Sequence, residues 1–164
     1  MSQSIIDGQR AAFERAHGMM VQFIEVCPED VWAKKFGGWP IWQQVYHTLG
    51  CYQFFTLQEG ETSEQGLYPP EVHSFRSTPD VTPLKKDMQE YGTLMKAKAD
   101  AYLNALQDAD LPAVNQGLTA RMKALGLPRE FSHSQTLATL SGHILYHLGS
   151  CDAALRERGM KGVF

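Results

Sequence analysis

Along most of this chain apolar side chains recur at steps of three and four, the period that lays them in one stripe along an α-helix. The first such stretch starts near Ser4 and carries Ile6, Phe13, His17, Met20 and Ile24 on one face. It is expected to stop at about Val26, because the residue ahead of a proline, here Cys27 before Pro28, is pushed out of the helical region. Phe36-Gly-Gly-Trp-Pro40 then breaks the period, and Pro40 suits the first position of a second helix reaching about Gln58. The stripe of that helix is Ile41, Val45, Thr48, Tyr52 and Phe55. Residues 59–81 hold Gly60, Gly66, Pro69, Pro70 and Pro79 without any sustained period and read as a long connection. At about 3.3 Å per residue it can cross the length of a bundle, so the helices it joins need not be antiparallel neighbours.

Thr82-Pro83 opens a third helix, with Leu84, Met88, Tyr91, Met95, Tyr102 and Leu106 on one side. The stretch from Asp108 to Phe131 is broken by Pro112, Gly117, Gly126 and Pro128, with room for a short helix around Leu118 to Leu125. Ser132-His-Ser-Gln135 fits a capping box and starts a fourth helix, which ends at Gly159 after Arg156 and Arg158. No strand alternation, repeat or low-complexity tract stands out. The prediction is an all-α protein, a four-helix bundle forming a single domain over residues 1–164.

The chemistry concentrates in the last helix. Leu137, Leu140, Ile144, Leu148, Cys151 and Leu155 form its buried stripe, and His143 and His147 stand one turn apart at the margin of that arc, about 40° from each other. Two imidazoles so placed can reach one ion. Zinc proteases use this spacing with a glutamate directly after the first histidine as general base; here that position is Ile144, and the protease reading fails. His47 lies at the margin of the second helix's stripe, roughly 120° from its centre. Edges of inward-facing stripes meet where neighbouring helices pack, so the three histidines can converge at one depth. Three neutral imidazoles leave an open position on Zn²⁺ or Ni²⁺, as catalytic sites do. Spacing alone is equally compatible with ordinary, partly buried histidines that have hydrogen-bond partners.

Composition adds mainly exclusions. The 164 residues are 43% hydrophobic and 20% charged, as in an ordinary globular protein, and the net charge of −3 gives no reason to expect nucleic acid or an anionic membrane as partner. No apolar run approaches the ~20 residues of a membrane span, and the first residues lack the cationic and apolar regions of a signal peptide. The three cysteines, Cys27, Cys51 and Cys151, include no Cys-x-x-Cys pair, and the chain reads as cytoplasmic.

Trp42-x-x-x-x-His47 in the second helix and His143-x-x-x-His147-x-Gly149 in the last, with the Gly-Gly-Trp-Pro lead-in and the long connection, resemble the DinB-like family of metal-binding four-helix bundles. The resemblance spans nearly the whole chain and is diffuse outside those motifs. It implies an up-down-down-up bundle with a long crossover between helices two and three. It also implies a His₃ divalent metal site, with His47, His143 and His147 matching the ligand positions. Family members are often homodimers. They include thiol-dependent S-transferases and isomerases that use low-molecular-weight thiols, and members without known activity.

Other residues carry smaller expectations. Cys51 and Cys151 each follow a histidine by one turn, so each is a candidate fourth ligand or redox-sensitive thiol, against the usual role of a buried cysteine as a small hydrophobe. His17 lies mid-stripe and is expected to be a satisfied core histidine; Glu14-x-x-His17 is half of a di-iron motif whose second half is missing. Tyr46, Tyr52 and Tyr146 are candidate pocket residues with core packing as the default, Met19 and Met20 read as core filling, and His73 and His133 are expected to face solvent. Two functional classes follow. One is a metal-dependent enzyme, of thiol S-transferase or hydrolase type, acting on a small molecule. The other is a non-enzymatic, stress-linked bundle that binds metal or ligand, and a plain helical interaction module without metal stands behind both.

Overall fold

A computed structural model describes residues 4–164. The helices are α1 (Ile5–Val26), α2 (Glu29–Trp32), α3 (Ile41–Thr56), α4 (Pro70–His73), α5 (Lys85–Ala105), α6 (Gln116–Ala124) and α7 (His133–Arg156). Two short strands, β1 (Lys35–Phe36) and β2 (Trp39–Pro40), pair antiparallel, and a 3₁₀ turn covers Asp108–Asp110.

Local chemistry sets the ends of the long helices. The Ser4 hydroxyl accepts from the Asp7 amide at 3.2 Å and starts α1. Ser132 and Gln135 exchange reciprocal bonds of 3.1 and 3.0 Å, the capping box expected for α7. The segment Phe36–Pro40 is not merely a break, as the sequence suggested. Gly37 and Gly38 take φ of 64° and 98°, conformations that side chains with a Cβ resist, and they close a two-residue hairpin leading into α3. Pro40 caps α3 from outside, and α5 begins at Lys85, so Leu84 is exposed and does not join the α5 stripe. The last helix stops at Arg156, with Gly159 in the left-handed region just beyond.

α3 packs against α5 and α7, and α1 packs against the same two from the other side. Side-chain pairs give the directions. Tyr46 meets Tyr91 and Leu49 meets Gly92, whereas Asn115 ties the Phe55 carbonyl to the Tyr102 hydroxyl further along, so α3 and α5 run parallel. Arg10 reaches the Leu103 and Leu106 carbonyls while Glu14 meets Lys96, so α1 and α5 run antiparallel. Gln44 meets Ser150 and Phe55 meets His143, so α3 and α7 are antiparallel. The bundle is therefore up-down-down-up, and residues 57–84 make the crossover between α3 and α5.

That crossover changes the burial of α3. It wraps the outer face of the helix over Gln43, and the β1–β2 hairpin covers Gln44, so these two residues, which a simple stripe would leave wet, are 0% and 5% exposed. Their amides are satisfied by main chain, Gln43 donating to the Val72 and Ser77 carbonyls and Gln44 to the Phe36 and Trp39 carbonyls. α3 is thus the central helix.

Candidate metal centre

His47 sits near the middle of α3, and His143 and His147 sit one turn apart on its antiparallel neighbour α7. The three rings meet: centroids are 5.1 Å apart for His47 and His143, 4.8 Å for His47 and His147, and 4.6 Å for His143 and His147. His47 Nε2 and His143 Nε2 are 3.1 Å apart. On the other side of the His47 ring, Nδ1 lies 2.8 Å from the His73 carbonyl oxygen. A carbonyl only accepts, so Nδ1 carries the proton and Nε2 presents a lone pair toward His143. The Cys51 sulfur, one turn along α3, is 3.7 Å from the same Nε2. Ligand atoms of His47, Cys51 and His143 all fall within 4.8 Å of one another, and His147 stands beside this set without belonging to it.

Burial lowers the proton affinity of every imidazole here. It brings His143 down to about 3, with the neighbouring His147, His47 and His73 adding to the effect. His147 falls to about 4 through burial and the nearby His47. Burial also lowers His47, partly opposed by its bond to the His73 carbonyl. All three are neutral near pH 7, the state that ligates metals. Burial raises the Cys51 thiol to about 12, so it keeps its proton unless a cation stands nearby.

This donor set fits a divalent ion. Two imidazole nitrogens bound at about 2.0–2.1 Å to one metal stand roughly 3 Å apart, close to the observed 3.1 Å between His47 and His143. The orienting bond from His47 to the His73 carbonyl is the outer-shell contact that metal-binding histidines require. Phe75 covers the cluster with its ring 4.5 Å from His47 and 6.2 Å from His147. It does so from a left-handed backbone, φ 59°, rare for a residue with a side chain and expected where the surroundings impose it. Phe55 lies 5.5 Å from His143.

The remaining candidates disperse. Cys151 is buried at 0% exposure, and the charges acting on its thiol are Cys27 and Asp152 rather than the histidines. His17 is in the core, its Nδ1 3.2 Å from the Tyr52 hydroxyl, and Glu14 pairs with Lys96 at the surface, so the half di-iron motif holds nothing together. Tyr46 is buried and bonded to the Tyr68 main chain. Tyr146 is 75% exposed, with its ring against the outer side of His147. Two expectations fail. His73 does not face solvent: its carbonyl anchors His47 and its ring packs on Tyr46. His133 is partly buried, with Nδ1 2.7 Å from the Tyr102 hydroxyl. Nothing in the local sequence of His73 marks it, because its partner is 26 residues away.

Residues 12–151 match the DinB superfamily, most of the chain's length and all of the histidine cluster. The chain belongs to the DinB superfamily. The fold of this DinB-superfamily protein is similar to the crystal structure of a DinB-like protein from Bacillus cereus ATCC 10987, with a TM-score of 0.66 and 20% sequence identity. That alignment covers 99% of this chain and 97% of the other. No curated protein matches the sequence. Among the described residues of the DinB-superfamily chain, no helix is long and apolar enough to cross a membrane.

Proposed function

We propose that His47, His143 and His147 hold one divalent cation, zinc or nickel, and that the protein is a metal-dependent enzyme acting on a small molecule. The observation that carries this reading is the convergence of His47 Nε2 and His143 Nε2 at 3.1 Å, with His47 fixed in one tautomer by the His73 carbonyl. A divalent ion there supplies Lewis acidity, which makes a water or a low-molecular-weight thiol reactive near neutral pH. The chain's own groups have separate tasks. The His73 carbonyl orients His47, while Phe75 and Phe55 cover the imidazoles with apolar rings. The thiol S-transferase and hydrolase types differ only in which nucleophile enters. A homodimer in the cytoplasm completes the proposal, on the strength of the family resemblance.

A second reading has its own observation. The Cys51 sulfur stands 3.7 Å from His47 Nε2, close enough to close the coordination sphere and leave a structural or sensory site. The test is elemental analysis of metal-loaded protein, followed by water-exchange relaxation on the cobalt or manganese form and a screen of low-molecular-weight thiols with electrophilic substrates. Exchangeable water and thiol transfer or hydrolysis that depend on the ion support the enzyme. A closed sphere that Cys51→Ser opens supports the second reading.

A further inference from the structure

A cavity of about 680 Å³ lies beside the histidine cluster rather than over it, on the flank of α3 that carries Tyr46, Gly50, Gln53 and Phe54. It lies between α3, the crossover, Tyr91 of α5 and Arg121 of α6, within the size range of small-molecule sites. Tyr46, Phe54, Tyr68 and Tyr91 give it an aromatic lining. Gly50 forms part of the floor: a Cβ there would run into the His73 ring and come within 2.9 Å of the Tyr91 hydroxyl.

Most polar groups on this wall are already engaged. Gln53 exchanges hydrogen bonds with the Glu64 main chain, Glu64 pairs with Lys98 at 2.9 Å, and Tyr68 donates to the Val81 carbonyl. Two are not. Among the described residues, His73 Nε2 and Arg121 Nη2 are the buried side-chain nitrogen and oxygen atoms without a hydrogen-bond partner, and both residues line this one cavity. Arg121 donates its Nε to the Phe54 carbonyl at 2.8 Å, which holds the guanidinium over the Phe54 ring. No carboxylate among the described residues comes within 4.0 Å of it. Burial lowers its proton affinity, and the nearest compensating charge, Glu61, is occupied in accepting the Gln58 amide at 2.7 Å. A buried guanidinium edge without a partner is costly, and the cost is relieved when an anion arrives. Gly50 and Phe54, which mark the His73 and Arg121 ends, are one turn apart on α3, about 6 Å along the axis.

We propose that this cavity is a second ligand site, separate from the histidine cluster, which binds an amphiphilic carboxylic acid. Its carboxylate pairs with Arg121, its apolar or aromatic body lies among Tyr46, Tyr68 and Tyr91, and a polar group one helical turn away meets His73. The His73 main chain also orients His47, so the cavity and the histidine cluster share a wall.

The test uses 6-hydroxy-2-naphthoate and its neutral amide as fluorescent probes, titrated into the protein as purified and after chelation of metal. The acid should bind about tenfold to a hundredfold more tightly than the amide, the margin expected of one charge-assisted contact, and equally well with and without metal. Arg121→Gln should erase the preference for acid over amide while leaving amide affinity and metal content as in the parent. Arg121→Lys should keep part of the preference. Equal affinity for acid and amide in the parent would overturn the proposal, whether or not the Arg121→Gln variant folds. So would acid binding that disappears on chelation, since the acid would then be bound at the metal.

Discussion

Gly50→Ala tests whether the histidine cluster depends on the floor that α3 provides. On helix propensity alone the substitution is favourable by about 0.5–1 kcal/mol, since glycine inside a helix gives up more backbone freedom than alanine. The structure predicts the opposite sign. The added methyl would occupy the space of the His73 ring, and the Tyr91 hydroxyl is 2.9 Å from it on another side. Room to retreat is limited, because the His73 ring packs on Tyr46 and on His47, with centroids 5.8 and 5.0 Å apart. Overpacking of this kind costs about 1–3 kcal/mol, so after the propensity gain the net expectation in the metal-free protein is a loss centred on about 1 kcal/mol and reaching about 2.5 kcal/mol. A second effect follows at the site. Displacing His73 moves the carbonyl that orients His47, and loss of such an outer-shell partner weakens metal binding about 10–100-fold. Urea denaturation of chelated protein reads the first effect, and competitive titration against a chromophoric chelator reads the second. A Gly50→Ala protein as stable as the parent or more so, with unchanged metal affinity, would refute both the packing argument and the role given to His73.

Two further outcomes follow from the same geometry. Since His143 and His147 have folded-state pKa values near 3 and 4, below the usual 6.5, the unfolded chain takes up protons before the folded one does; the chelated protein should therefore lose stability steadily from about pH 6.5 down to about pH 4 in urea midpoints, and a flat profile would contradict the burial argument. His17→Ala removes a buried ring and leaves the Tyr52 hydroxyl without its partner; calorimetry should show a loss of about 2–4 kcal/mol, with metal content unchanged.

What could be read from the sequence was mostly local. Ser4, the Ser132–Gln135 box and the proline after Cys27 set helix ends through contacts within four residues, and they appear where the sequence put them. The crossover was legible as length and composition, and the parallel pair of helices followed from it. His47, His143 and His147 were legible as stripe margins, and the structure does bring their rings together. The misses share a cause, which is packing between segments far apart in the chain. Gln43 and Gln44 lie outside the apolar stripe of α3, yet both are buried, Gln43 under the crossover and Gln44 under the hairpin. His73 read as a loop residue and Phe75 carried no signal, yet both fold back onto His47. The Gly37-Gly38 hairpin did have a signal, two glycines between aromatic residues, that the helical period overshadowed.

The central claim is that three imidazoles from two helices act as one ligand set, and metal stoichiometry tests it most directly. Elemental analysis after loading and desalting should be run on the parent, on His47→Ala, His143→Ala and His147→Ala, and on Cys51→Ser. The account predicts a full equivalent in the parent and in Cys51→Ser, and steep loss in each of the three histidine variants. Full, tight loading of His147→Ala combined with loss in Cys51→Ser would contradict it, and would place the ion on His47, Cys51 and His143 instead.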